Sequence, residues 1–105
     1  MTYPFHPHQL YLVFDYETRS EADLKKVGAW EYSMHPSTRI LCVAWRIGTL
    51  NSLPDIPMEI WSPFIHDFRA PLELVNALKS KTIIKCAHNT GFEMAITANV
   101  LPRYM

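Results

Sequence analysis

The chain has 105 residues, 49% of them hydrophobic and 19% charged, which suffices for one small domain and is too little for two. Ten basic and ten acidic residues balance to a formal charge of zero, which argues against a broad basic groove for duplex nucleic acid. The chain has eight prolines and three glycines and contains no repeat or low-complexity tract, so disorder and collagen-like fibres are set aside.

Residues 1–9, MTYPFHPHQ, read as an irregular arm, and residues 10–105 as a single domain. LYLVFDYE, residues 10–17, is a strand. Its apolar side chains occupy both faces as far as Asp15, which predicts a central strand covered on both sides. TRSEAD breaks the run. Ser20 or Asp23 then caps a short helix through DLKKVGAWEY, with Gly28 limiting its length. His35-Pro36-Ser37-Thr38 is a turn. ILCVAWRIG, residues 40–48, is a second strand, and LNSLPDIP a connection. MEIW, residues 58–61, is a short third strand that Pro63 closes.

Residues 62–71 are irregular. PLELVNALKS, residues 71–80, is a helix with Pro71 suited to its first turn and Leu74, Val75 and Leu78 on one face. TIIKCAH, residues 82–88, is a β-branched strand. Asn89 or Thr90 caps a last helix from about Phe92 to Leu101, which ends before Pro102. The resulting pattern, β-β-β-α-β-α, predicts an α/β fold. Its helical crossover places the fourth strand parallel to another strand in a mixed sheet.

Two short segments carry chemistry. In Asp15-Tyr16-Glu17 the acids are two apart on a strand and therefore share a face. Like charges at that spacing repel, and a divalent cation relieves them. Carboxylate oxygens are the hard ligands that Mg²⁺ or Mn²⁺ prefers. A solvated strand end carries the same pattern, so the triplet alone decides nothing. In Ala87-His88-Asn89-Thr90-Gly91-Phe92-Glu93 a strand passes into a helix, and Glu93 falls in the first turn, where the helix dipole favours an anion. A capped helix start reads the same way. Together the segments are more specific, because the crossover can bring Glu93 beside Asp15 and Glu17. Three such carboxylates could hold two metals about 4 Å apart for phosphodiester hydrolysis.

The stretch FDYETRSEADLKKVGAWEYSMHPSTRILCVAW resembles the start of the 3′→5′ exonuclease domain of phage and bacterial family A DNA polymerases, and AHNTGFE is similar to that domain's second motif. These are DEDD exonucleases of the ribonuclease H-like fold. The resemblance runs over about residues 10–100. It implies that Asp15 bridges both metals, that Glu17 holds the metal on the nucleophile side, and that Glu93 stands where the family usually has Asp. It also implies substrate contacts near Thr18, His88 and Asn89. Phe92 could stack on a base, though a place in the core suits it better.

The family's third motif, a helix with an Asp and a nearby Tyr or His, has no counterpart before Met105. The expectation is therefore a truncated ribonuclease H-like sheet and an incomplete two-metal DNA exonuclease. Its substrate would be a single-stranded DNA 3′ end. The missing acid would come from a polymerase, from the remaining exonuclease segment, or from a second copy pairing through an open sheet edge. The alternative is an inactive remnant that binds DNA or protein, or inhibits a partner.

Other features read as structural. Cys42 and Cys86 sit in apolar runs as core thiols and form no CxxC pair. The His-Pro-His triplet of the arm reads as solvated. Lys25 and Lys26 read as solvated, with Trp30 and Tyr32 pinning the first helix to the sheet. His88 serves equally as a base, a ligand or a joint between strand and helix. The N-terminus lacks a signal-peptide pattern and no apolar run approaches membrane-spanning length. The expected location is cytoplasmic, in a bacterial host if the chain is phage-encoded.

Overall fold

In the computed structural model, which describes residues 6–105, the strand-forming run after Leu10 becomes β1 (Tyr11–Arg19). The first five residues of the expected arm lie outside the described residues. The rest of the arm turns at Pro7-His8. The Gln9 side chain then donates to the carbonyls of Leu10 at 2.9 Å and Thr82 at 2.6 Å, which ties the arm to the chain entering the fourth strand.

The other strands are β2 (Arg39–Gly48), β3 (Glu59–Trp61) and β4 (Ile84–Cys86). They pair in the order β3-β2-β1-β4. β1 runs antiparallel to β2 and parallel to β4, and β2 runs antiparallel to β3. The fold is thus α/β with a four-stranded mixed sheet, and its strand order is compatible with the ribonuclease H-like arrangement. The helices are α1 (Leu24–Met34), α2 (Leu72–Lys79) and α3 (Thr90–Asn99). The strand expected over 82–88 is paired for only three residues, and the last helix begins at Thr90, two residues earlier than the sequence suggests.

Burial along β1 alternates. Leu12, Phe14 and Tyr16 are buried, whereas Asp15 and Glu17 are exposed. Through the register with β2 and β3, the buried set lies on the face that also carries Val43, Trp45 and Trp61. Leu74, Val75 and Ala77 of α2, Ile96 of α3 and the residues Val100, Leu101 and Tyr104 complete one core cluster. Cover on both sides of β1 is therefore a correction. The helices bury one face, and among the described residues the other receives the loop after Gly48, where Leu53 is buried. Tyr11 and Val13 on that second face stay half-buried.

Asp23 caps α1, accepting from the Lys25 amide at 3.1 Å. Gly28 interrupts the helix, as expected: its φ of 84° and ψ of 168° are non-helical, and two helical segments meet there at a kink in a backbone region that favours glycine. Tyr32 is buried and its hydroxyl bonds Thr18 Oγ1 at 2.8 Å, joining α1 to β1. Trp30 does not share that role: it is 57% exposed. Residues two apart on a helix point to different sides, so burying Tyr32 turns Trp30 outward. Lys25 and Lys26 are exposed, as expected.

The turn after α1 is held by its polar side chains. Thr38 Oγ1 bridges the Tyr32 carbonyl at 2.7 Å and the Ser20 hydroxyl at 2.6 Å. His35 Nδ1 accepts from the Ser37 amide at 3.1 Å. At the other end of the chain, Leu101–Tyr104 form a 3₁₀ turn. Tyr104 packs on Trp61 and Phe68, with ring centroids 5.7 and 5.0 Å away, and the Ile40 amide donates to its hydroxyl at 3.2 Å.

Candidate active site at the end of the first strand

Asp15 and Glu17 project from the uncovered face of the sheet. Their partners across β2 are Ala44 and Cys42, and such small side chains leave the space above the carboxylates open. The two acids belong to the half of β1 that β4 does not reach, because β4 pairing ends at Val13 with Cys86. The chain then leaves the ladder through Ala87 and His88 and enters α3.

Glu93 occupies the first turn of α3 and is only 2% exposed. The Tyr16 amide donates to its Oε2 at 3.0 Å across 77 positions of sequence. An amide facing the vacated edge of β1 would otherwise be buried without a partner, which is costly. Tyr16 is fixed a second time: its hydroxyl bonds Thr97 Oγ1 at 3.0 Å. Thr97 in turn donates to the Glu93 carbonyl at 2.8 Å. Strand and helix are thus joined at two levels around one carboxylate.

The electrostatics follow from this placement. Burial pushes Glu93 up to about 7, with the Tyr16 amide opposing it. The Asp15 and Glu17 charges, together with a side-chain hydrogen bond to Asp15, raise it further. In its protonated form Glu93 can therefore accept from the strand and donate to Asp15. Burial raises the Cys42 thiol, and the Glu17 and Asp15 charges add to that. The Tyr16 phenol is also raised by burial.

Asp15 and Glu93 are brought together, and Glu17 shares the face of Asp15. Asn89 is the N-cap of α3, its Oδ1 accepting from the Phe92 amide at 3.3 Å; its amide nitrogen remains for other partners. His88 is exposed in the turn between β4 and α3. Thr18 is half-buried and bonded to Tyr32. Phe92 packs against the core, with its ring centroid 5.9 Å from that of Tyr32. Sequence reasoning missed the Tyr16 amide as the anchor of Glu93, and no local pattern encodes a contact between segments so far apart. It also missed Cys42 as the neighbour of the acids, although the β1–β2 register, once known, makes that plain.

The donor chemistry fits a hard divalent cation: the three side chains offer carboxylate oxygens alone, and their mutual repulsion is what such an ion relieves. Among the described residues, no group of three or more His, Cys, Asp or Glu side chains is close enough to form a metal site without rearrangement. No helix among the described residues is long and apolar enough to cross a membrane. Comparisons with family models, curated proteins and solved structures gave no match.

Proposed function

We propose that the chain supplies the first two carboxylate motifs of a metal-dependent 3′→5′ exonuclease acting on single-stranded DNA. The observation that carries this reading is the seating of Glu93 on the Tyr16 amide beside Asp15. A helix carboxylate held against a strand carboxylate, across so much sequence, is the convergence that the two motifs require.

Asp15, Glu17 and Glu93 would hold Mg²⁺ or Mn²⁺. Bound there, the metal would supply an activated water and neutralise charge developing at phosphorus. Asp15 and Glu17 face the open side of the sheet, where a strand end can approach. To hold a cation Glu93 would have to act as the carboxylate, without its proton. Asn89, through its free amide nitrogen, and His88 stand at the rim within the same strand–helix joint. Water forms the new bond to phosphorus as the bond from phosphorus to the 3′ oxygen breaks. The departing oxygen takes a proton, and a 5′-monophosphate leaves. A further carboxylate from outside residues 1–105 would complete the set, borne by a polymerase, by a further exonuclease segment, or by a second copy docked along the exposed edge of β4.

One observation favours a second reading. Glu93 is engaged in a structural tie, its Oε2 accepting from the Tyr16 amide, as expected of an exonuclease-like module that binds DNA or a protein partner without turnover.

The deciding experiment incubates the chain with 5′-labelled single-stranded DNA and Mn²⁺, beside Asp15→Ala and a chelator control. A descending ladder that both controls abolish supports the nuclease. Cleavage undiminished in Asp15→Ala sinks the assigned site. Absence of a ladder, with stoichiometric binding retained, selects the non-catalytic module.

A further inference from the structure

A groove of about 410 Å³ lies where the ends of β1 and β2 meet the irregular segment after β3. Its walls include Arg19, Arg39, Phe64, Phe68 and Tyr104. Arg19 and Arg39 are direct partners in the β1–β2 register. Like charges facing each other across a strand pair are unfavourable, and an anion between them removes the conflict.

Arg39 is held in place. Its Nη1 donates to the carbonyls of Pro36 at 2.6 Å and Thr38 at 3.0 Å. Arg103 Nη1 donates to the same two carbonyls, at 3.4 and 2.9 Å, and brings a third guanidinium to this end of the sheet. Carbonyls orient these groups without cancelling their charge. The chain is neutral as a whole, so three arginines gathered at one corner create a local field that composition conceals.

The other wall is aromatic. Phe64 and Phe68 are 70% and 61% exposed, and Phe68 is braced from behind by Tyr104. Guanidinium groups on one side and open rings on the other match a ligand that alternates phosphates with flat bases. A duplex keeps its bases stacked and offers none to the rings. An acidic peptide would satisfy the arginines and leave the phenylalanines wet.

We propose that this groove binds a single strand of DNA, with phosphates between Arg19 and Arg39 and a base stacked on Phe64 or Phe68. Arg19 lies four residues beyond Asp15 and two beyond Glu17 on β1, ~13 and ~7 Å along an extended strand, so the groove adjoins the carboxylates but none of them lines it. The choice of DNA rests on the nuclease reading; the contact with a single strand rests on the groove alone and needs neither the acids nor a metal.

The test is fluorescence anisotropy of a labelled oligodeoxythymidylate in chelator, where hydrolysis is off. Saturable binding is expected for the unmodified chain with all divalent metal removed, which separates the groove from the nuclease site. Phe64→Ala should weaken binding roughly fivefold or more, the loss of one stacked base. Arg19→Ala should lower the slope of log affinity against log salt by about 0.7. Both side chains are exposed, and unchanged circular dichroism establishes that the variants are folded. No binding by the unmodified chain, affinity for duplex equal to that for single strand, or variants that bind as the unmodified chain does would each overturn the proposal. Phe64-dependent self-association in place of DNA binding would overturn it in favour of protein docking.

Discussion

Replacing Glu93 by Gln should leave stability unchanged in acid and raise it at neutral pH and above. The Gln amide reproduces the protonated acid: its oxygen accepts from the Tyr16 amide, as Glu93 Oε2 does at 3.0 Å, and its nitrogen donates toward Asp15. Glu93 is raised from 4.5 to about 7 in the folded protein, first by burial and then by the neighbouring acids. Below pH 4.5 the group is protonated folded and unfolded alike, so its full contribution to stability is present. Between about 4.5 and 7 the unfolded chain releases the proton while the folded protein retains it, and that contribution is lost. Above 7 the loss is complete and amounts to about 3 kcal/mol, a large share of a small domain's stability. Urea unfolding from pH 4 to 8 measures it. The difference between Glu93→Gln and the parent should start near zero and climb to about 3 kcal/mol. Parallel profiles would refute the assignment of Glu93 as a buried acid that holds its proton near neutrality.

Three further substitutions test the scaffold. Tyr16→Phe removes the bond to Thr97 and keeps the ring, so it should cost about 1 kcal/mol in urea unfolding without changing circular dichroism. Gly48→Ala places a Cβ 2.6 Å from Ile56 Cδ1 and 2.8 Å from Ser52 Oγ. Because Ser52 Oγ already holds the Thr49 amide at 2.9 Å, the loop cannot yield freely, and a loss of roughly 1–3 kcal/mol is expected. Gly28→Ala meets no neighbouring atom within 4 Å but must adopt a φ of 84°. A cost of roughly 1–3 kcal/mol should appear in a thermal melt.

Local chemistry made much of this fold legible. The β-branched and aromatic runs marked β1 and β2, the Leu74-Val75-Leu78 stripe marked α2, and Asp23 and Asn89 served as caps where the sequence offered them among alternatives. What escaped was decided by neighbours distant in sequence. Apolar residues at Tyr11 and Val13 implied a second covered face, yet α2 and α3 joined the core of the other one. Trp30 had the composition of an anchor, but Tyr32 took the inward direction and geometry sent Trp30 out. The carboxylates could be named from DYE and from GFE. Their convergence followed from the crossover, but the means did not, because it depends on where β4 stops and on an amide at Tyr16 whose availability is a property of the sheet.

The brevity of β4 has an architectural consequence. A parallel neighbour continued for three more residues would cover β1 as far as Tyr16 and satisfy that amide with a carbonyl. Glu93 would then lose its seat, and the turn at His88 and Asn89 would be drawn straight into the ladder. The notch left by an early stop is thus what gives a helix access to the middle of a sheet. The length of one strand, more than the identity of any acid, determines whether two carboxylates from opposite ends of the chain can meet.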